Sequence, residues 1–287
     1  IPNAEEVGES AYHFTSPFLV SYIQKYEVAV TATAQQENEY SGPQQAIDII
    51  ARKGGFPILA HPWNDPRTYS ALVGYRGVEI YSAYASVMTR RGYGMFRGSD
   101  KNGVMQKFWD KLLAKDQSIL GIAVNDHFGP DADPSTVDRD LQDSGKIIVF
   151  APASDLASYR QAFQSGALVA VQDFGAVKDQ YPTLRRLEVS DGGILLETDG
   201  RVRWVSMGLP IGDGPWLDSH TLPRGSTYVR AEISNTEGST LFTQAFAIRP
   251  VGDTNGDGVV DALDRLLCDA VAERTDKDFD HVAACQF

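Results

Sequence analysis

The sequence predicts an α/β domain of βα units, then a small β-sandwich, then an EF-hand-like helical tail. Three observations predict it. Short apolar runs alternate with amphipathic helix-length stretches as far as Tyr181-Pro182. Short alternating segments separated by glycine turns, with no helical period, run on to Pro250. A loop with calcium-ligand spacing then opens the tail. The chain accordingly divides into 1–182, 183–250 and 251–287.

Each element has its own justification. The first forty residues are the least regular, although Glu27 to Ala34 alternates like a strand, with Val28 and Val30 on one face. Pro43 opens a helix with Ile47, Ile50 and Ala51 on one side, closed by Gly54 and Gly55. The apolar run Phe56 to Ala60 that follows is of strand length and ends at His61, where Pro62 fixes the exit. Gly77-Val78-Glu79-Ile80-Tyr81 reads as the next strand. Val104, Phe108 and Leu112 mark a helix near 104–115, which leads into a strand, Ile119 to Val124, ending at Asn125-Asp126-His127. Lys146 to Phe150 is a further strand. Ser154 caps a helix bearing Leu156, Tyr159 and Phe163, Gly166 stops it, and Ala167 to Val171 is the strand beyond. This alternation predicts a mostly parallel sheet or barrel. In the β-rich part, strands are expected at 187–189, 194–197, 202–205, 228–233 and 241–248, with turns at Gly192-Gly193, Asp199-Gly200 and Glu237-Gly238.

Composition narrows the functional classes. With 26 basic and 38 acidic residues the net charge is -12, which argues against a nucleic-acid partner and fits a soluble or cation-binding protein. No apolar run has the length of a membrane span. Ile1 to Glu6 has neither the basic start nor the apolar core of a signal peptide, although a leader already removed leaves the same end. A disulfide between Cys268 and Cys285 is the preferred reading of the two cysteines, with two buried free thiols as the alternative. A bridge would place the protein in an oxidising compartment, extracellular or periplasmic.

The tail carries the sharpest motif. Asp253, Asn255, Asp257, Asp261 and Asp264 occupy positions 1, 3, 5, 9 and 12 of a calcium loop. Gly258 sits at position 6, and the Val259 carbonyl supplies position 7. Asp264 is shorter than the usual glutamate, which weakens bidentate coordination. Asp276, Asp278 and Asp280 repeat the first three spacings without completing a loop.

Chemistry elsewhere falls to the histidines. His61 and His127 both end predicted strands, the edge where α/β folds bind ligands, and His13 follows Glu6 by seven residues. Imidazole and carboxylate together suit Zn²⁺, Mn²⁺ or Fe²⁺. Asp126 and Asp65 are further candidate oxygen donors and Asn125 a weaker one. Arg91, with Arg90 and Arg97, is the candidate clamp for an anionic substrate group. His220 and His281 read as structural or exposed.

These pieces resemble the polymerase and histidinol phosphatase (PHP) superfamily, in its branch with a β-sandwich appendage. The likeness lies in Ile1 to Val7 with His13-Phe14, in Ile58-Leu59-Ala60-His61-Pro62-Trp63, in Gly121 to His127, in Tyr159 to Val169, and in Tyr228 to Glu232 with Phe242 to Ile248. The resemblance implies an incomplete or distorted (β/α)₇ barrel holding two or three ions at its strand ends, and hydrolysis of phosphoesters. It implies Glu6 as bridging carboxylate, with His13, His61 and His127 as metal ligands. The family's Asp-x-His motif is matched either with Asn125 in the aspartate's place or with Asp126 one spacer short. Its opening His-x-His has no counterpart, which implies a processed or partial chain or an impaired enzyme. The tail separately resembles dockerins, which attach extracellular proteins to scaffolds. Two functions follow as expectations: a metal-dependent phosphoester hydrolase acting on a small substrate, or a non-catalytic extracellular protein, scaffold-attached or self-associating, that calcium stabilises.

Overall fold

The computed structural model describes residues 5–9, 12–20, 42–63, 66–91, 100–116, 118–125, 144–173, 179–190 and 192–248. It opens on a hairpin that the sequence pattern does not announce: β1 (Glu5–Glu9) pairs antiparallel with β2 (Tyr12–Ser16). Helix α1 (Pro43–Arg52) begins at a proline, whose missing N–H is no loss in the first turn. It buries Ala46, Ile47, Ile49 and Ile50, and each fully buried isoleucine contributes roughly 1.5–3 kcal/mol. Gly54, at φ 73°, then turns the chain towards β3 (Ile58–Leu59).

A short α2 (Pro66–Tyr69) precedes β4 (Gly77–Ser82), which runs straight into α3 (Ala83–Arg91). Helix α4 (Lys101–Leu113) is capped by Asp100, which accepts from the Gly103 N–H, and leads to β5 (Leu120–Val124). The first sheet has the order β1-β2-β3-β4-β5. It is antiparallel as far as β3 and parallel from β3 to β5. Phe14, Ile47, Ile50, Leu59, Val78, Tyr81 and Trp109 fill the core between this sheet and its helices.

The parallel run stops there, and the expected (β/α)₇ PHP-type barrel is corrected to a strand-rich fold with three sheets among the described residues. The residues that overturn it are β6 (Gly145–Val149) and β7 (Leu168–Gln172), which pair antiparallel although α5 (Leu156–Ser165) lies between them. Gly166, at φ 72°, reverses the chain directly after α5, and the Phe150 N–H bonds to the Ala167 carbonyl at 2.8 Å. Strand β7 therefore starts where β6 ends, whereas a parallel crossover has to carry the chain back to the start of β6. Asp155, not Ser154, caps α5; the Ser154 hydroxyl meets Tyr159 instead.

Strands β8 (Leu184–Ser190), β9 (Gly193–Thr198), β10 (Arg201–Ser206), β11 (Leu209–Asp213), β12 (Trp216–Asp218), β13 (Tyr228–Ser234), β14 (Thr240–Thr243) and β15 (Phe246–Ala247) complete the described chain. The largest sheet runs β11-β10-β13-β14-β7-β6, so the β-rich part takes in two strands from before residue 182. A smaller sheet, β12-β9-β8, packs with it over Val171, Leu196, Trp204, Leu217 and Ile233, a sandwich-like arrangement. The expected strand at 241–248 is broken into β14 and β15. The expected strand at 27–34 and the expected EF-hand-like helical tail at 251–287 lie outside the described residues. Among the described residues no helix is long and apolar enough to cross a membrane.

One buried ionic cluster ties α4 to the large sheet. Arg230 on β13 grips Asp110 on α4 through two bonds, at 2.8 and 3.0 Å, and Tyr228 donates its hydroxyl to the same carboxylate at 2.8 Å. The guanidinium also bonds Glu232 at 2.8 Å and lies over the Trp109 ring. Burial pulls the Arg230 pKa down, but Asp110 and Glu232 together more than offset it and the net shift is upward. Burial, and then the Asp110 charge, push the Tyr228 phenol well above its ordinary value.

Candidate functional site

Register brings two of the expected ligands together. Phe14 pairs with Leu59 across β2 and β3, and the Ala60 N–H bonds to the His13 carbonyl at 3.0 Å. His61 therefore emerges beside His13, although the two are 48 residues apart. Their rings meet with His13 Nδ1 3.0 Å from His61 Nε2, in an edge-on arrangement with centroids 4.8 Å apart.

That contact constrains the protons. Two neutral imidazoles facing each other through one nitrogen apiece form a hydrogen bond only if one of those nitrogens is protonated and the other is not. Nitrogens 3.0 Å apart are also close enough to share one ion at metal–nitrogen distances of about 2.0–2.1 Å. Sharing an ion requires both facing nitrogens to be proton-free, with the protons on His13 Nε2 and His61 Nδ1. One ring must therefore switch tautomer when an ion enters.

The backbone at His61 is unusual. Its φ is 30°, in the left-handed region that costs a side-chain-bearing residue about 1–3 kcal/mol unless its surroundings hold it. Its peptide N–H meets Glu79, in the middle of β4. Glu79 is only 3% exposed; its Oε2 accepts the His61 N–H at 2.6 Å and its Oε1 accepts the Thr15 hydroxyl at 3.4 Å. A carboxyl group inside a strand whose six residues are all buried is costly unless it is bonded in this way.

The walls are aromatic. Trp63 lies 5.2 Å, centroid to centroid, from the His61 ring and packs with Ala85 and Met105. Tyr69 accepts the His13 N–H at 3.2 Å, and its ring meets Phe14 edge-on. Strand β4 ends beside this corner at Ser82, whose backbone is held by Asn102 from α4.

The remaining expected residues are less fully described. Glu6 stands on β1 in register with Thr15, two residues from His13. Arg91 is the last residue of α3. Asp126, His127, Asp65 and Arg97 lie outside the described residues, as do the calcium loop (Asp253, Asn255, Asp257, Val259, Asp261, Asp264) and both cysteines. Among the described residues, no group of three or more His, Cys, Asp and Glu gathers into a metal-binding cluster. Asn125 is engaged structurally: its side-chain oxygen accepts the Gly145 N–H at 2.9 Å and its carbonyl accepts from Tyr84. His220, expected to be structural or exposed, is exposed in a single 3-10 turn.

Glu79, Thr15 and Tyr69 were not singled out by sequence reasoning. One mark was available, an ionisable residue in the middle of the apolar run Val78 to Tyr81. Comparison of the chain with family models, with curated proteins and with solved structures finds no match. The likeness to PHP proteins and to dockerin loops therefore rests on the motif residues alone.

Proposed function

We propose that the protein is a metal-dependent hydrolase of small phosphoesters, with its ion held between His13 and His61. The support is the 3.0 Å approach of His13 Nδ1 on β2 and His61 Nε2 just beyond β3, two ligand-type nitrogens at one sheet corner. A divalent ion held there would activate water and polarise the phosphoryl oxygens. The chain's own residues do the rest. His13 and His61 present their lone pairs, Trp63 and Tyr69 wall the corner with apolar surface, and Arg91, at the end of the helix that leaves β4, is the proposed anion clamp. Glu6 and His127 complete the ligand set in this reading, as the PHP resemblance suggests.

Elemental analysis of the purified protein, paired with hydrolysis of an aryl phosphate, tests it. The expected result is stoichiometric transition metal and hydrolysis that is abolished in His61→Ala. Calcium alone, with no hydrolysis, would contradict the proposal and favour a non-catalytic extracellular protein stabilised by calcium.

A further inference from the structure

Glu79 has no ligand role in the proposal, yet it bonds both His61 and the strand that carries His13. Its Oε2 takes the N–H of His61 itself, at 2.6 Å, and its Oε1 takes the hydroxyl of Thr15, two residues beyond His13 on β2. Strand β4 pairs with β3, which pairs with β2, so this one side chain reaches across the sheet corner from its third strand. An apolar residue would fill that buried position at less cost, because every other residue of β4 is also buried. The His61 backbone is the only strained point among the residues Glu79 is shown to bond, with φ 30°.

We infer that Glu79 is a positioning residue: by accepting the His61 N–H while anchored to Thr15, it sets the backbone angle at which the His61 imidazole meets His13. The inference rests on the reading of the histidine pair as the ion-holding pair, and it acts through that pair. The carboxyl group accepts from the His61 peptide N–H, so it acts on the backbone that sets where the His61 ring points. Reach therefore matters more than charge.

Two substitutions separate these properties. Glu79→Gln keeps an oxygen at the same reach and removes the acid; Glu79→Asp keeps the acid and withdraws it by one methylene. Three preparations, wild type and the two variants, are compared by Mn²⁺ affinity from equilibrium dialysis. The ring-to-ring nuclear Overhauser contact between His13 and His61 is recorded in the metal-free protein, and circular dichroism confirms folding. Glu79→Asp is expected to lose the ring contact and to bind Mn²⁺ about 10- to 100-fold more weakly, the usual cost of losing a group that orients a ligand. Glu79→Gln is expected to keep the contact and to bind far more tightly than Glu79→Asp. A folded Glu79→Asp with an intact contact and unchanged affinity would overturn the inference, as would Glu79→Gln losing as much as Glu79→Asp. If Glu79→Asp does not fold, Thr15→Val, which frees one carboxyl oxygen while conserving volume, must weaken the ring contact, and an unaltered contact overturns the inference. If wild type binds no Mn²⁺, the hydrolase proposal falls while the ring contact still decides the role of Glu79.

Discussion

The cluster around Arg230 and the pair formed by His13 and His61 are both polar, but they are built to different ends. Arg230 is 2% exposed and gives Asp110 two bonds, while Tyr228 adds a third and Glu232 takes the guanidinium's other side. Donors there meet acceptors, and the geometry is that of a lock between a helix and a sheet. At the sheet corner, two imidazole nitrogens face each other at 3.0 Å, and the backbone of His61 sits in a strained region. The first cluster is explained by stability; the second is the arrangement on which the proposed ion site rests.

The contrast can be broken most forcefully at the lock. Arg230→Ala leaves Asp110 buried without its cation and is expected to cost about 3–5 kcal/mol in urea unfolding, with Mn²⁺ affinity little altered once the protein is folded. A smaller and more telling effect is expected at His61. Both His61→Gly and His61→Ala should abolish transition-metal binding, but the glycine variant should be the more stable by about 1–2 kcal/mol, because only it adopts φ 30° without strain. Equal stability of the two would show that the left-handed backbone is not a stored cost.

Asp173 sharpens the comparison through pH. It is buried, and although burial raises its pKa, the Asp179 N–H, Lys146 and Ser239 more than offset this and hold the carboxyl below its ordinary value. A depressed carboxyl stabilises the fold above its unfolded pKa of about 3.9, and that contribution disappears as pH falls through the folded value. Asp173→Asn should therefore be less stable than wild type at neutral pH by about 1–3 kcal/mol, with the gap closing in acid. A gap that does not change with pH would contradict this. The smallest effect belongs to the exposed pair Arg186 and Glu188, where Arg186→Ala should change stability by less than about 0.5 kcal/mol.

How much of this was legible follows the same division. Helices α1, α4 and α5 and most sandwich strands could be read, because their apolar spacing and glycine stops are local. The direction of β7 could not be, since a βα repeat has the same pattern whether the chain returns parallel or antiparallel. The β1–β2 hairpin was missed because Glu5-Glu6-Val7-Gly8-Glu9 shows no alternation of apolar residues. His61 stood out as the polar end of an apolar strand and His13 by its spacing from Glu6, but their register was set by Phe14 opposite Leu59, a pairing between residues 45 positions apart. Glu79 was visible as an odd residue, and its role depended on which backbone lay beside it.

The most direct test is a crystal of the protein soaked in Mn²⁺ and measured at the metal's absorption edge. The account predicts an anomalous peak within about 2.0–2.3 Å of both His13 Nδ1 and His61 Nε2. Two rings still bonded to each other, with no peak between them, would contradict it.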